Sequence, residues 1–329
     1  MKIAPLTLRY QLARSALLAA LTGLVPLASQ AQYPDRPVRM VLPFGPGSAT
    51  DTFLRIVAEP LNAALGQTVV VDNRPGAMSA LAVEHVAKSA PDGYTVIAAT
   101  NSIVATPAGI LRKVNYDPIR DFTPITRLAG TSYVLIVAAE QPWKTLADLI
   151  EYARANPGKL NYASGNLGGL MYGGMLKNSI GVDMVHISYK STPPALLELL
   201  AGRVHWMFTD LVTASSQAKA GKVRPLLATA AQRTAMFPDV PTIAETGIQG
   251  FADMPAWWAL YGPAGMPKDA VERLNREFTT ILRRPDVRSR LAVMGIDAVP
   301  STPQELANFT REQSQSYIRL IKEFDIQPE

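Results

Sequence analysis

Cysteine is absent from this chain of 329 residues, and histidine occurs only three times. The absence of thiols excludes disulfides, thiolate metal sites, Fe–S clusters and cysteine nucleophiles. His85 falls in a helical pattern, and His186 and His205 fall in strand patterns, so we interpret all three as structural or surface imidazoles. No nucleophile elbow and no metal-ligand spacing occurs. We therefore expect no enzyme, no catalytic residues, no metal and no cofactor.

Long apolar runs are also missing, since no segment reaches the length of about 20 residues that a membrane-spanning helix needs. The best leader-like run, Ser15–Leu27, follows a start that carries three cations and no acid, and it precedes Ser29-Gln30-Ala31. This pattern predicts a signal peptide over residues 1–31, cleaved before Gln32, and hence a secreted protein of the periplasm. An exported chain of this length can build its core without disulfides.

A strong charge imbalance is missing from the mature chain. Removing the three cations of the leader from the formal charge of +5 leaves +2. The chain has no stripe of Lys and Arg with interleaved aromatic residues, so we expect no nucleic-acid partner.

What the sequence does contain is an alternation of strand and helix patterns. The first helical pattern places Phe53, Val57, Leu61 and Leu65 on one face, and we expect Pro60 to kink this helix. The alternation predicts an α/β fold in which helices cover parallel sheets. Strands are predicted at Val38–Leu42, Val69–Val71, Thr95–Ala99, Tyr133–Ala139, Leu160–Ala163, Val185–Tyr189, Val204–Phe208, Leu226–Thr229 and Trp257–Tyr261.

Caps mark several helix boundaries. Thr145 with Asp148 predicts a helix start, and Thr192 before Pro193 predicts an N-cap with proline in the first helical position. The closing helices have no strand partners nearby in sequence, so we expect them to cover the first sheet. They are predicted at Lys268–Arg283, Asp286–Met294 and from Thr302-Pro303 onward.

The loop Pro43–Asp51 is the first candidate for ligand binding, because ligands of open parallel sheets bind at the carboxyl ends of the strands. Its glycines and the following helix N-terminus suit an anion such as a carboxylate. A plain capping box between Ser48 and Asp51 is an equally good interpretation. The same loop nearly matches a dinucleotide fingerprint, but the third glycine is missing and Pro46 stiffens the turn.

Four further loops of small polar residues follow predicted strands, at Thr100–Ser102, Ser164–Gly169, Tyr189–Thr192 and Thr209-Asp210. Their number predicts a ligand held in a cleft by neutral donors. We expect the Ser164 hydroxyl to bind the ligand carboxylate. The predicted ligand-binding residues are Phe44, Gly47, Ser48, Asp51, Thr100, Asn101, Ser102, Ser164, Gly165, Asn166, Gly168, Tyr189, Thr192 and Asp210.

Short segments along the whole mature chain resemble those of the TctC/Bug family of periplasmic solute-binding proteins, which includes the substrate-binding subunits of tripartite tricarboxylate transporters. The segments are Tyr33–Val38, Val41–Gly47 leading to Asp51, Asp72–Ala77, Ala90–Tyr94, Pro157–Ser164, Val185–Lys190, Phe237–Thr242 and Gly262–Gly265.

This resemblance implies a two-lobed type II periplasmic-binding-protein (Venus flytrap) fold. The first lobe is then formed by residues 32–131 and 254–329, and the second by residues 132–253. The implied ligand is a small carboxylate-bearing metabolite: a dicarboxylate, a tricarboxylate, an amino acid or an aromatic acid. The implied partners are integral-membrane transporter subunits in transient contact with a monomer.

Several positions depart from the family pattern, at Ser48, Met78–Leu81, Leu170–Tyr172 and Thr209-Asp210. Bulkier groups near the cleft predict a different ligand shape. Two other functions stay open at this point, namely a binding protein that serves a sensor and a secreted hydrolase on a similar fold.

Overall fold

The computed structural model describes residues 33–230, 232–234, 236–251, 254 and 256–323, and the predicted signal peptide lies outside them. The strands are β1 (Val38–Leu42), β2 (Val69–Asn73), β3 (Thr95–Thr100), β4 (Phe122–Thr131), β5 (Tyr133–Ala138), β6 (Asn161–Ser164), β7 (Val185–Ser188), β8 (Trp206–Asp210), β9 (Val223–Ala228), β10 (Ala256–Pro263) and β11 (Asp297–Ala298). The helices are α1 (Ala49–Leu65), α2 (Ala80–Ala87), α3 (Ser102–Ala105), α4 (Leu146–Ala155), α5 (Leu167–Ile180), α6 (Thr192–Leu200), α7 (Leu211–Lys219), α8 (Ile243–Thr246), α9 (Lys268–Arg283), α10 (Pro285–Ala292) and α11 (Pro303–Glu323). A 3-10 turn at Ala77–Ser79 precedes α2, and a π turn at Thr106–Ile110 follows α3.

The strands form two separate sheets. The first has the order β11-β4-β10-β3-β1-β2, and the second has the order β7-β6-β8-β5-β9. In each sheet four strands point the same way, and the strands that oppose them are β10 and β11 in the first sheet and β5 in the second. The predicted α/β fold with two mostly parallel sheets is confirmed.

The chain passes between the sheets twice. It leaves the first sheet at Thr131 and enters the second at Tyr133, and it returns to the first through β10. The closing helices then pack back on the first sheet, α9 against α1 and β4, and α11 against β4. The lobe boundaries after residues 131 and 253 stay a prediction.

Helix α1 shows how the apolar pattern builds the core of the first lobe. The Ser48 side chain caps its N-terminus, and Gly66 ends it in the left-handed conformation. Phe53 and Leu61 are fully buried. The helix continues through Pro60, and the predicted kink at this residue stays a prediction. Burial of the apolar face against the sheet outweighs the one hydrogen bond that a proline removes.

Two of the predicted caps have different outcomes. The capping box of Thr145 and Asp148 is confirmed, with both reciprocal hydrogen bonds present. The predicted N-cap at Thr192 is wrong, because Ser191 holds the extended conformation of the cap and Thr192 is already helical. The Thr192 hydroxyl instead accepts a hydrogen bond from Asn166.

Strand β4 is absent from the predicted strands because Pro124, Arg127 and Gly130 interrupt its apolar pattern. Pro124 pairs with Tyr261 next to a register shift between β4 and β10, and such an irregularity is a place where a sheet tolerates a proline. Strand β8 begins two residues later than predicted, at Trp206, which places Asp210 at its end. In the described part of the chain, no helix has the length and apolar character of a membrane span.

Candidate functional site

The carboxyl ends of strands from both sheets meet at a cleft between the two sheets. Its centre is a cavity of about 30 Å³, called the central cavity, lined by Phe44, Ser48, Ala49, Thr50, Thr100, Asn101, Tyr133, Asn166, Leu167, Thr192, Asp210, Ala256 and Trp258. An outer cavity of about 170 Å³ adjoins it through Phe44, Asn166 and Leu167. The two lobes touch beside it, since a Cβ atom on Gly45 would lie 3.0 Å from the Ser191 Oγ atom.

The first-lobe side of the cleft is the loop between β1 and α1. Ser48 Oγ accepts a hydrogen bond from the Asp51 amide at 3.2 Å. The Asp51 carboxylate in turn accepts from the Gly47 amide at 3.0 Å, from Arg55 and from Asn73. Burial acts to raise the pKa of Asp51, but these hydrogen bonds outweigh it and the pKa is lowered. Asp51 therefore holds the loop in shape and lines neither cavity.

The end of strand β3 supplies a second polar group. Thr100 Oγ1 lies 2.8 Å from Ser102 Oγ, and Asn101 donates from Nδ2 to the hydroxyl of Tyr317 at 2.7 Å. All three polar side chains of this loop are buried. The hydrogen bond from Asn101 to Tyr317 of α11 fixes the amide at the wall of the central cavity.

The second-lobe side of the cleft is the entry to α5. Asn166 Oδ1 accepts from the Gly169 amide at 2.8 Å, and its Nδ2 donates to Thr192 Oγ1 at 3.0 Å. Two glycines permit close packing here. A Cβ atom on Gly165 would lie 2.4 Å from the Ser191 carbonyl carbon, and one on Gly168 would lie 1.9 Å from the Tyr133 ring. Gly168 thus serves packing rather than the cavity wall.

Ser164 does not reach the cleft. Its side chain is fully buried, and its Oγ atom lies 2.7 Å from His186 Nε2. Burial, together with the charge of Lys177, lowers the pKa of His186 to about 4, so the imidazole is neutral at pH 7. Ser164 is the last residue of β6. Because side chains alternate between the two faces of a strand, its hydroxyl lies on the same face of the sheet as His186 of the neighbouring strand.

Asp210 is the ionisable carboxyl group of the central cavity. It is the N-cap of α7, and its carboxylate accepts from the Thr213 amide at 2.8 Å and from the Thr213 hydroxyl at 3.1 Å. Burial raises the pKa of Asp210, against the effect of these hydrogen bonds. Among the described residues, no lysine or arginine lines the central cavity, and Lys190 lines the outer one.

Strands β5 and β10, at which the chain enters the second sheet and returns to the first, contribute aromatic residues that we did not predict for the site. Tyr133 begins β5 and packs against Tyr172 with ring centroids 5.4 Å apart. Trp258 lies in β10 and donates from Nε1 to the Thr50 hydroxyl at 2.6 Å. Both strands are antiparallel to their neighbours. Their first residues therefore lie at the edge of the sheet where the neighbouring strands have their carboxyl ends. The apolar patterns of these strands indicate burial, but they do not show in which direction each strand runs in its sheet.

The structure brings most of the predicted residues together. Those at the central cavity are Phe44, Ser48, Thr100, Asn101, Asn166, Thr192 and Asp210. Those that line the outer cavity without lining the central one are Ser102, Gly165 and Tyr189. Gly47 lines a lateral opening of about 380 Å³ that also reaches Thr192. Three of the predicted residues, Asp51, Ser164 and Gly168, line none of these cavities.

The cleft combines several helix N-termini. Because Ser48 and Asn166 each cap one amide, other first-turn N–H groups of α1 and α5 keep no intrahelical partner, and Ala49, Thr50 and Leu167 lie at the cavity wall. Such N–H groups and the helix dipoles favour an anion. Within the described residues, no group of His, Asp and Glu side chains is arranged to hold a metal ion.

Comparison with known proteins decides the family. Residues 53–326 match the model of the tripartite tricarboxylate transporter family receptor. The chain belongs to this family. It is similar to the periplasmic binding protein BugD, with 30% identity, a TM-score of 0.86 and coverage of 90% of this chain and 100% of BugD.

Two solved structures of relatives hold a ligand. Rpa4515 of R. palustris, solved with adipate, is 33% identical, with a TM-score of 0.86 and coverage of 90% of this chain and 100% of that one. MatC of Rhodopseudomonas palustris, solved with bound malate, is 31% identical, with a TM-score of 0.80 and coverage of 88% and 100%. These matches confirm the two-lobed fold and the resemblance to TctC and Bug proteins.

Proposed function

We propose that this receptor captures a small carboxylate-bearing metabolite between its lobes and delivers it to a tripartite tricarboxylate-type transporter. The observation that carries the proposal is the meeting of the α1 and α5 N-termini at one buried cleft. Relatives with bound adipate and malate support a carboxylate ligand. The receptor works as a periplasmic monomer that contacts the membrane subunits transiently.

The arrangement of Ser164 and His186 supports binding rather than hydrolysis. Their 2.7 Å contact has the spacing of a nucleophile and its base. Ser164 is fully buried and lines none of the cleft cavities, so a substrate carbonyl has no path to its oxygen. A histidine whose pKa is lowered to about 4 is also a weak base at pH 7. The receptor therefore releases its ligand unchanged.

A thermal-shift screen over organic acids and amino acids tests this function. A ligand present at one hundred times its dissociation constant stabilises the folded state by about 2.7 kcal/mol. Calorimetry then measures the affinity of each acid that raises the melting temperature, and chromatography measures how much of it is recovered. Stabilisation with full recovery is expected. Conversion of the ligand, or a screen in which no carboxylate raises the melting temperature, would contradict the proposal.

A further inference from the structure

A second polar groove lies on the first lobe, away from the cleft. It has a volume of about 550 Å³ and lies between the end of α9, α10, the segment after β11 and the first turns of α11. None of its lining residues lines a cleft cavity. Its lining includes Arg127, Arg283 and Arg288, and we call it the arginine groove.

Arg127 is the deepest cation of the arginine groove. It extends from β4 and places its guanidinium carbon 4.1 Å from the centre of the Phe309 ring. Its Nε atom is buried and has no hydrogen-bond partner. Among the described residues, no Asp or Glu forms an ion pair with Arg127.

The charge of the arginine groove is not balanced by its own acid. Arg283 and Arg288 are exposed at the rim, and neither forms an ion pair within the described residues. Glu305 lines the groove, but its carboxylate accepts hydrogen bonds from the Thr302 amide at 2.8 Å and from the Thr302 hydroxyl at 2.9 Å. This acid also caps α11, and its single negative charge against three arginines leaves the groove with a net charge of 3 − 1 = +2.

Arg127 lines the groove without an ion-pair partner among the described residues, and two further arginines lie at the rim. A guanidinium stacked on an aromatic ring is also held ready for forked hydrogen bonds to an oxyanion. We propose that the arginine groove binds a phosphate group, either as free phosphate or as the headgroup of an anionic lipid. The net positive charge of the groove suits free phosphate, which carries about 1.5 to 2 negative charges near neutral pH, and also a lipid phosphodiester, which carries about one. This site is independent of the ligand cleft.

Calorimetric titration of the purified protein with inorganic phosphate at low ionic strength tests the site. We expect one phosphate site, and we expect Arg127→Gln to weaken it at least about tenfold through loss of a charge-assisted contact. Arg319→Gln is the matched control, because Arg319 is exposed on the same helix as Phe309 and lines no described cavity. Because Arg127 packs on Phe309, Arg288→Gln provides a second variant that removes only a rim charge.

Vesicle binding distinguishes the two sources of phosphate. Co-sedimentation compares vesicles of phosphatidylcholine with vesicles that also contain phosphatidylglycerol. Binding of phosphate alone assigns the groove to the free ion, and binding to phosphatidylglycerol that Arg127→Gln weakens assigns it to a headgroup. If neither probe binds, or if Arg127→Gln and Arg288→Gln bind as tightly as the Arg319→Gln control, the proposal is overturned. Affinity for a cleft ligand should stay the same in all three variants.

Discussion

Replacement of Asp210 by Asn should change which ligands the cleft prefers. Asp210 is the carboxyl group of a central cavity that has no lysine or arginine in its described lining. Asn is as good an N-cap as Asp, so it can still accept from the Thr213 amide and the fold should survive. At a pH above the raised pKa of Asp210, the substitution therefore removes one negative charge from the cavity and little else.

The size of the effect follows from the size of the cavity. A ligand group within about 30 Å³ is in close contact with the walls, Asp210 included. Two unit charges about 5 Å apart interact by about 3 kcal/mol at an effective dielectric constant of about 20. The upper limit is therefore on the order of a hundredfold in affinity. Repulsion from Asp210 disfavours a plain dicarboxylate, whereas an ammonium group gains attraction from the same side chain.

The raised pKa of Asp210 adds a dependence on pH. Burial favours its protonated form in the folded protein, so its contribution to stability is present below the ordinary carboxyl pKa and is lost as pH rises through the raised value. In that window a fall in pH neutralises the carboxylate, and affinity for a dicarboxylate should rise. In Asp210→Asn the affinity should not follow this titration.

Calorimetry with malate and aspartate measures the effect, because these acids share two carboxylates and differ in the group on one carbon. Asp210→Asn should shift the ratio of affinities toward malate by between about tenfold and a hundredfold. Asp239→Asn, an exposed change of the same charge in the segment after β9, is the control. If both variants leave the ratio at the wild-type value, Asp210 does not face the ligand and the reasoning is refuted.

Three further predictions concern a buried hydroxyl, export and closure. Ser164→Ala should leave ligand affinity unchanged. It should lower the free energy of unfolding, measured by urea denaturation, by about 1 to 3 kcal/mol, because the 2.7 Å contact with His186 Nε2 is lost. Weaker ligand binding in calorimetry would show that Ser164 contacts the ligand. N-terminal sequencing of protein recovered from the periplasm should begin at or near Gln32, and a start at Met1 would exclude cleavage. Small-angle scattering should show a smaller radius of gyration with ligand, with hinges near Leu128–Ser132 and Met254–Trp258, and a constant radius would favour a preformed pocket.

Local signals in the sequence were sufficient for much of the fold. Helix α9 spans Lys268–Arg283 as predicted, because its apolar stripe and flanking prolines are both local features. The capping box of Thr145 and Asp148 depends on residues three apart in sequence. The loops that form the cleft could also be predicted, because ligands of open parallel sheets bind at the carboxyl ends of the strands and these loops follow predicted strands.

Features set by distant contacts could not be read in the same way. The position of Ser164 at the end of β6 was predictable, but the face on which its hydroxyl lies depends on the register with His186 on the neighbouring strand. Tyr133 and Trp258 reach the cleft because their strands run against the others, and only the sheet order shows this. The role of Asp51, in helix α1, depends in part on Asn73 at the end of strand β2.

The position of β10 has a consequence for the order in which the protein folds. This strand lies in the middle of the first sheet, where Ala259 pairs with Ala99 on one side and with Arg127 on the other. During synthesis the first sheet cannot close until the last quarter of the chain exists, and pairings between such distant residues form slowly. Strands β1, β2 and β3 can pair with one another early, but the edges of β3 and β4 that face β10 stay unpaired for most of translation. This delay keeps the first sheet open until most of the chain has been made, which favours export of the chain before that sheet closes.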